Sequence, residues 1–362
     1  MHDFAQAGPI CTLPRLNDTY GAQLEASLGA HAQQRPVSLI IPCHGMDLRQ
    51  PALAHILAEL APATWLREVV LSVNGARPME LEHGQRLAAA LPCPTRVLEN
   101  DAPAQAEEYG RAWGVERVPQ GKGLNVWAAV RLVQAEGRSS FVALQDADVS
   151  SFRRENLARL VAACVDPRLG FRFAKMYYAR VTDRLYGRVT RLFFTPLLEA
   201  LQHRVGSHGL LEFLSAFRYA LAGECVCEIG LAERLAYHPG WGLETKMLAQ
   251  VYRHTGGREV CQVDGGTGYH HRHHAVSGHA GLGEMCGVIA ETLFAELESA
   301  GFSQAGTMLQ AAIEEYPYAA ERHRQRSSAV SIMNGLPADE AGDRAMIQEF
   351  AAVLKSMAPQ EQ

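Results

Sequence analysis

Short apolar runs alternate with segments of helical spacing through the first half of the chain. Runs rich in β-branched residues predict strands at 37–41, 68–73, 95–98 and 141–144, and each run stops at polar or turn-forming residues. Between them, 51–60 and 126–133 carry apolar residues at the spacing of one helix face. Runs that are apolar on both faces are typical of buried parallel strands. The alternation therefore predicts an α/β fold with a mostly parallel sheet.

The pattern differs at the two ends of the chain. The residues before 36 show no clear period, and no internal repeat occurs anywhere. Another strand-like run covers 260–264, and after about residue 265 helical patterns follow at 282–300, 304–315 and 342–357, joined by glycine and proline. We therefore expect a lead-in segment over 1–35, a sheet-containing domain over 36–275 and a helical region over 276–362.

Composition narrows the class of protein. The chain has 362 residues, 48% of them hydrophobic, and its 34 basic and 39 acidic residues give a net charge of −5, so neither nucleic acid nor an anionic membrane is favoured as a partner. The start of the chain lacks the features of a secretory leader, and no run approaches the roughly 18 apolar residues that span a bilayer. The eight cysteines are scattered without a zinc-binding pattern, which indicates reduced thiols and a cytoplasmic protein.

Polar clusters follow three of the predicted strands, at 42–47, 74–77 and 146–148. In open α/β sheets ligands bind beyond the carboxyl ends of the strands, so these clusters predict a nucleotide site at that edge. The first strand is not followed by G-x-G-x-x-G, and no P-loop lysine motif occurs. The nucleotide would therefore be held in a different way from either of those two modes.

Two of the motifs suit a metal-bound diphosphate. Asp146 and Asp148 directly follow a buried strand, and their hard carboxylate oxygens suit Mg²⁺ or Mn²⁺; the alternative is a solvated turn that caps the next helix. Gly121-Lys122-Gly123 opens the preceding helix, where glycine permits close backbone approach and lysine favours phosphate. The alternative there is an ordinary helix entry that contains glycine.

Five of the fifteen histidines lie in ten residues, at positions 270, 271, 273, 274 and 279. One of them as a further metal ligand beside Asp148 is compatible with Mn²⁺ chemistry. The alternative is a polar loop in which most of the rings bind nothing. A zinc site of four histidines is disfavoured because adjacent residues do not converge easily on one tetrahedral ion.

The segment 175–191 is basic within an acidic protein, and it contains Lys175, Arg180, Arg188 and Arg191. Arginine binds carboxylate and phosphate through two parallel hydrogen bonds, although a solvated helix face would have the same composition. Glu224 and Glu244 follow glycines in apolar stretches, where a buried carboxylate is either structural or catalytic.

Taken in order, these motifs resemble those of glucosyl-3-phosphoglycerate synthases and their mannosyl-3-phosphoglycerate synthase relatives. The resemblance runs from about residue 37 to 275, and its most specific part is Gly187-Arg188-Val189-Thr190 followed by Thr195-Pro196-Leu197-Leu198. Asn334-Gly335-Leu336-Pro337 near the end of the chain is also similar. The resemblance implies a retaining glycosyltransferase of the GT-A fold, with the nucleotide-sugar and acceptor sites in 36–275. This enzyme would move a hexose from a nucleoside diphosphate, UDP or GDP, to the 2-hydroxyl of 3-phosphoglycerate.

The resemblance also implies a role for each matching residue. Catalytic positions would be Glu244, Asp148 and Arg188. Mg²⁺ or Mn²⁺ would be held by Asp146, Asp148 and a histidine, His270 in preference to His271. The donor would contact Pro42, Cys43, His44, Asp47, Asn74, Lys122, Asp146, Ala147 and Glu224. The acceptor would contact Lys175, Arg180, Gly187, Arg188, Val189 and Thr190.

The sequence departs from the family pattern at two places, and alternatives stay open. Thr245-Lys246 follows Glu244 where relatives have Ile-Gly, and Asp47 stands where glutamate is usual. Glucose is preferred to mannose because the 187–190 region is more similar to the glucosyl enzymes, and another small acid such as glycerate could be the acceptor. A metal-binding protein without catalysis is the alternative from another class. A homodimer formed through the helical region is compatible with the sequence.

Overall fold

A computed structural model of the chain describes residues 6, 8–17, 19–113, 121–267 and 280–358. Within these ranges, eight strands form one sheet in the spatial order β1-β8-β6-β7-β5-β2-β3-β4. Every neighbouring pair is parallel except those that β7 makes with β5 and β6. The predicted α/β class with a mostly parallel sheet is confirmed. The strands are β1 Cys11–Leu13, β2 Val37–His44, β3 Leu66–Asn74, β4 Thr95–Glu99, β5 Phe141–Leu144, β6 Phe173–Ala179, β7 Cys225–Glu228 and β8 Val260–Thr267.

The predicted strands correspond to β2, β3, β4, β5 and β8, whereas β1, β6 and β7 were not predicted. β1 and β7 have only three and four residues, too few for a period to show. β6 contains Lys175, which is fully buried. A lysine inside a run hides its apolar character, so local hydrophobicity does not reveal this strand.

Helices cover both faces of the sheet. They are α1 Gly21–Gln34, α2 Pro51–Leu60, α3 Pro78–Ala89, α4 Pro103–Trp113, α5 Lys122–Glu136, α6 Arg154–Val165, α7 Thr195–Val205, α8 Gly209–Ser215, α9 Ile229–Ala232, α10 Leu243–Thr255, α11 Ala280–Ser299, α12 Ala305–Met333 and α13 Glu340–Ser356, with a 3₁₀ turn at Gly45–Arg49 and a π-helical turn at Val189–Phe194. One apolar core packs α1, α2 and α6 against one face of the sheet, and the other packs α5, α7, α8, α10 and the C-terminal helices α11 to α13 against the opposite face.

The lead-in segment contributes to the fold through β1 and α1, which its lack of period did not indicate. β1 adds an edge strand beside β8, with Cys11 opposite Cys261. The predicted boundary at 275 lies outside the described residues.

The C-terminal helices α11 to α13 follow the predicted pattern, but α12 is longer than the segment 304–315. It continues through Pro317 because Tyr316 and Ala319, on either side of the proline, are completely buried in the core. Tertiary packing there outweighs the cost of a proline within a helix. None of the helices in the described ranges is long and apolar enough to cross a lipid bilayer.

Candidate active site

The sheet brings the polar clusters to one edge. β2 and β3 end level, with His44 opposite Asn74, and Asp146 and Asp148 follow the last residue of β5. β7 runs in the opposite direction, and its first residue, Cys225, pairs with the last residue of β5. Glu224, immediately before β7, therefore lies at the same edge as the strand ends of its neighbours.

Lys122, the first residue of α5, lies between two carboxylates. Its Nζ is 2.6 Å from Oδ1 of Asp146 and 2.9 Å from Oε1 of Glu244. Burial alone would lower the pKa of Lys122, but the charges of Asp146 and Glu244 and their hydrogen bonds raise it well above its usual value. Lys122 is therefore a permanent cation that links the Asp146 turn to the start of α10.

Glycines allow this close assembly. The Gly123 amide donates to the Pro239 carbonyl at 2.9 Å, and a Cβ on Gly123 would lie 1.8 Å from the His238 carbonyl oxygen. A Cβ on Gly223 would lie 2.3 Å from Oδ2 of Asp146. The glycine at 123 thus admits the backbone of the loop before Glu244, and phosphate binding at this helix start stays a prediction.

Arg180 lies beside the second carboxylate of the aspartate pair. Its side chain hydrogen-bonds to Tyr219, and the Asp148 charge acts on it as well. Burial would lower the pKa of Arg180, but Tyr219 and Asp148 raise it above its usual value. The aspartate pair thus has a different cation on each side, Lys122 beside Asp146 and Arg180 near Asp148.

The two aspartates fit a hard divalent cation. They provide carboxylate oxygens on one turn, and the ammonium of Lys122 shows that this edge holds a positive charge between carboxylates. In the part of the chain that the structure describes, no group of three or more His, Cys, Asp or Glu side chains could hold a metal ion. The predicted ligands His270 and His271 lie outside the described residues, so the fit rests on the aspartates.

Two predicted contact residues are closed off from solvent. Glu224 is 0% exposed and accepts hydrogen bonds from Tyr178 Oη at 2.9 Å and Gln145 Nε2 at 3.3 Å. Lys175 is also 0% exposed and donates to the Ala222 carbonyl, and burial lowers its pKa below the usual value. Lys175 is therefore enclosed in this conformation, and its contact with an acceptor stays a prediction.

The residues predicted to contact the nucleoside divide into two groups. His44 is exposed, and Asp47 next to it accepts a hydrogen bond from the His44 amide at 2.7 Å. The others are buried, namely Pro42, Cys43, Asn74 and Ala147. The Asn74 amide group donates to the Gly121 carbonyl at 3.1 Å, and therefore connects the β3 end to the entry of α5.

The predicted acceptor turn, Gly187-Arg188-Val189-Thr190, lies at the start of the π-helical turn. Gly187 has φ of 76°, a left-handed conformation that favours glycine. Arg188 lines a cavity together with Arg184, Arg191 and Arg324 of α12. Within the described ranges, the Arg188 guanidinium forms no hydrogen bond or ion pair, so it is available for an anion.

Lys246, which departs from the family pattern, lies near a carboxylate of the helical region. Its Nζ lies 3.9 Å from a carboxylate oxygen of Glu296 on α11. This contact gives Lys246 a structural partner within the helical region.

Four residues of the arrangement were not among the predicted site residues. Gln145 and Tyr178 hold Glu224, Tyr219 holds Arg180, and Gly223 makes room for Asp146. Their positions next to predicted residues are a weak signal. Gln145 directly precedes Asp146 at the strand end, and Gly223 directly precedes Glu224.

The chain is similar to known proteins of one family. The chain is 35% identical over 363 residues to the glucosyl-3-phosphoglycerate synthase of Persephonella marina, covering 98% of this chain and 89% of that protein. It is 31% identical over 330 residues to the glucosyl-3-phosphoglycerate synthase of Methanococcoides burtonii, covering 89% and 81%. No family model matches the chain.

The fold has a counterpart among solved structures. The glucosyl-3-phosphoglycerate synthase of Mycobacterium tuberculosis, crystallised with Mn²⁺, UDP-glucose and phosphoglyceric acid, has a TM-score of 0.61 and 24% identity, over 83% of this chain and 90% of that chain.

Proposed function

Because this chain belongs to the glucosyl-3-phosphoglycerate synthase family, we propose that it transfers glucose from a nucleoside diphosphate to the 2-hydroxyl of 3-phosphoglycerate with retention. The observation that carries the proposal is the 35% identity, over 98% of this chain, to a synthase of that name. UDP-glucose is the preferred donor because the solved structure of similar fold holds it. We also propose a cytoplasmic location, as the sequence predicts.

Asp146 and Asp148 would hold Mg²⁺ or Mn²⁺, together with the predicted histidine at 270 or 271. When bound, such an ion neutralises the charge of the departing diphosphate. Lys122 brings a further fixed positive charge to the same edge, because it lies 2.6 Å from Asp146. His44 and the 42–47 backbone face the side on which the nucleoside would lie.

The acceptor would lie over the turn at 187–190. 3-Phosphoglycerate carries a carboxylate and a phosphate, and the free guanidinium of Arg188 matches either group. Thr190 and the backbone of Gly187 and Val189 would complete this contact. Arg180, near Asp148, places a second arginine on the side of the sheet edge where the reaction would occur.

Glu244 would stabilise the positive charge that develops at the anomeric carbon. Its carboxylate is held by Lys122 at 2.9 Å, and its side chain is 13% exposed, so it is oriented and partly shielded from water. Glu224, held by Tyr178 and Gln145, would contact the sugar hydroxyls after a local rearrangement. Catalysis then consists of positioning and charge neutralisation: the bond from the anomeric carbon to the diphosphate breaks, a bond to the acceptor oxygen forms, and the acceptor's hydroxyl proton passes to the departing diphosphate.

A panel of reactions tests the proposal. The purified protein is incubated with UDP-glucose, GDP-glucose or GDP-mannose, with 3-phosphoglycerate or glycerate, and with Mg²⁺, Mn²⁺ or EDTA. We expect release of UDP together with a phosphorylated glucoside, abolished by EDTA. A product from GDP-mannose alone would assign the mannosyl reaction, and transfer to glycerate alone would reject 3-phosphoglycerate. Absence of turnover with every donor would reject a transferase.

A further inference from the structure

The turn at 187–190 continues directly into a segment enclosed by the C-terminal helices. Leu192, Phe193 and Phe194 of the π-helical turn are 0% exposed. The Phe193 ring packs edge to face against Tyr316 of α12 at 5.8 Å and against Phe350 of α13 at 5.4 Å. The hydroxyl of Tyr316 donates to the Leu192 carbonyl at 2.7 Å. The C-terminal helices therefore hold the chain just after the turn.

One ion pair extends this hold towards the turn itself. Arg191 donates two hydrogen bonds to Asp343 of α13, at 2.5 and 2.7 Å, and the two side chains are only 16% and 12% exposed. The Arg191 amide donates to the Gly187 carbonyl at 3.0 Å. Asp343 of α13 is thus connected to Gly187 of the turn through Arg191 alone.

The two arginines of this segment have different environments. Both terminal nitrogens of the Arg191 guanidinium bind Asp343, whereas Arg188 forms no ion pair within the described part of the chain. Both line the same cavity, and Asp343 lines it as well. A planar fork that makes two parallel hydrogen bonds sets an orientation as well as a distance, which a point charge does not.

We propose that Arg191 and Asp343 are positioning residues for the acceptor. Their ion pair sets the turn at 187–190 so that Arg188 meets the acceptor's anionic groups. The inference rests on the proposed function, because it takes 3-phosphoglycerate as the anion bound at that turn. It assigns to the helical region a role in acceptor binding in addition to its role in the core.

Steady-state kinetics of full-length variants with Mn²⁺ test the inference, with 3-phosphoglycerate as the acceptor and UDP-glucose as the donor. Asp343→Asn removes the charge with little change of shape, and Arg191→Lys keeps the charge but loses the fork. We expect both to raise the acceptor KM by about tenfold to a hundredfold, since small misplacements of positioning groups have effects of that size. The donor KM should change by less than about twofold, because the donor does not contact this turn.

A matched control comes from Glu25, whose carboxylate binds Arg154 through two hydrogen bonds at 2.7 and 3.2 Å. This pair is similarly shielded but joins α1 to α6 on the opposite face of the sheet. Glu25→Gln should leave both KM values unchanged. If Asp343→Asn raised the donor KM and the acceptor KM together, and Glu25→Gln raised both as well, the effect would be a general loss of structure. That result would overturn the inference.

A double variant separates positioning from stability. Arg191→Met combined with Asp343→Leu replaces the buried pair by apolar side chains, which often preserves stability. We expect a wild-type melting temperature with an acceptor KM that stays raised. Unchanged acceptor KM in this variant and in Arg191→Lys would overturn the inference, whereas failure of the wild-type protein to use 3-phosphoglycerate would overturn the proposed function itself.

Discussion

At the scale of single residues, the candidate site is a set of charges that neutralise one another. Lys122 lies between Asp146 and Glu244, and Arg180 lies near Asp148. The positive charge of Lys122 compensates the two carboxylates that it contacts, which offsets part of the cost of removing them from water. Opposite charges therefore meet at this edge of the sheet.

Replacing Asp148 by alanine should abolish turnover without unfolding the protein. We expect kcat to fall by about a hundredfold or more, because the residue would hold the metal that neutralises the diphosphate. Circular dichroism and the initial rate with Mn²⁺ are the measurements. Asp166→Asn, which removes a carboxylate from the end of α6, is the control and should retain activity; a fully active Asp148→Ala would exclude the metal role.

Asp166 itself predicts a dependence of stability on pH. Its hydrogen bond from Arg168 lowers the pKa of Asp166 from 3.8 to about 2. Its folded-state pKa is below the unfolded value, so its contribution to stability is complete above about pH 4 and is lost as the pH falls towards 2. Urea unfolding should show Asp166→Asn less stable by about 1–2 kcal/mol at pH 7, a modest value because Arg168 is exposed, and most of this difference should be gone by about pH 2. A difference of the same size at pH 2 would contradict this assignment.

At the scale of elements, the site depends on how α5 begins. Gly121 has φ of 150°, and its carbonyl accepts a hydrogen bond from Asn74 at the end of β3. Gly123 lies against the backbone of 238–240, which leads into α10 and Glu244. The end of β3, the start of α5 and the loop at 238–240 are therefore in close contact through their backbones. A side chain at Gly123 would separate the helix from the loop.

Gly123→Ala should damage both stability and activity. Its Cβ would lie 1.8 Å from the His238 carbonyl oxygen, so the loop or the helix must move. We expect a loss of about 1–3 kcal/mol in the free energy of unfolding, and a large loss of kcat/KM because Lys122 and Glu244 separate. Gly29→Ala in α1 is the control, since no atom lies within 4 Å of its Cβ. The control should be neutral or stabilised by about 0.5–1 kcal/mol. Equal effects of the two substitutions in urea unfolding would contradict the packing explanation.

At the scale of the whole molecule, the C-terminal helices form part of the core that covers one face of the sheet. Tyr316, Phe350 and Phe193 belong to one continuous apolar cluster with strand residues such as Phe173. Burial of such aromatic side chains contributes strongly to stability. The helical region therefore supports the turn at 187–190 and the sheet together.

Tyr316→Phe should measure this connection. The change removes the hydroxyl that donates to the Leu192 carbonyl at 2.7 Å and leaves a buried carbonyl with one partner fewer. We expect destabilisation by about 1–2 kcal/mol in thermal or urea unfolding. Tyr318, two residues further along α12, is 68% exposed, and Tyr318→Phe should be neutral. Equal stability of the two variants would show that the hydrogen bond does not contribute.

The sequence alone determined the class of fold and predicted the place of the candidate site. Strands that are buried on both faces leave continuous apolar runs, so β2, β3 and β5 were found, and the polar residues that follow them predicted the ligand edge. The ordered motifs also determined the family. These signals are local, because each depends on neighbouring residues or on their order along the chain.

Only the tertiary structure decided which of these residues interact. Lys122 and Glu244 are 122 positions apart, and Arg191 and Asp343 are 152 apart, so no period or motif relates them. The reversed direction of β7 brings Glu224 to the edge, and packing around Tyr316 carries α12 through Pro317. Burial and ion pairing depend on what the rest of the chain places nearby, and that is decided when distant segments pack together.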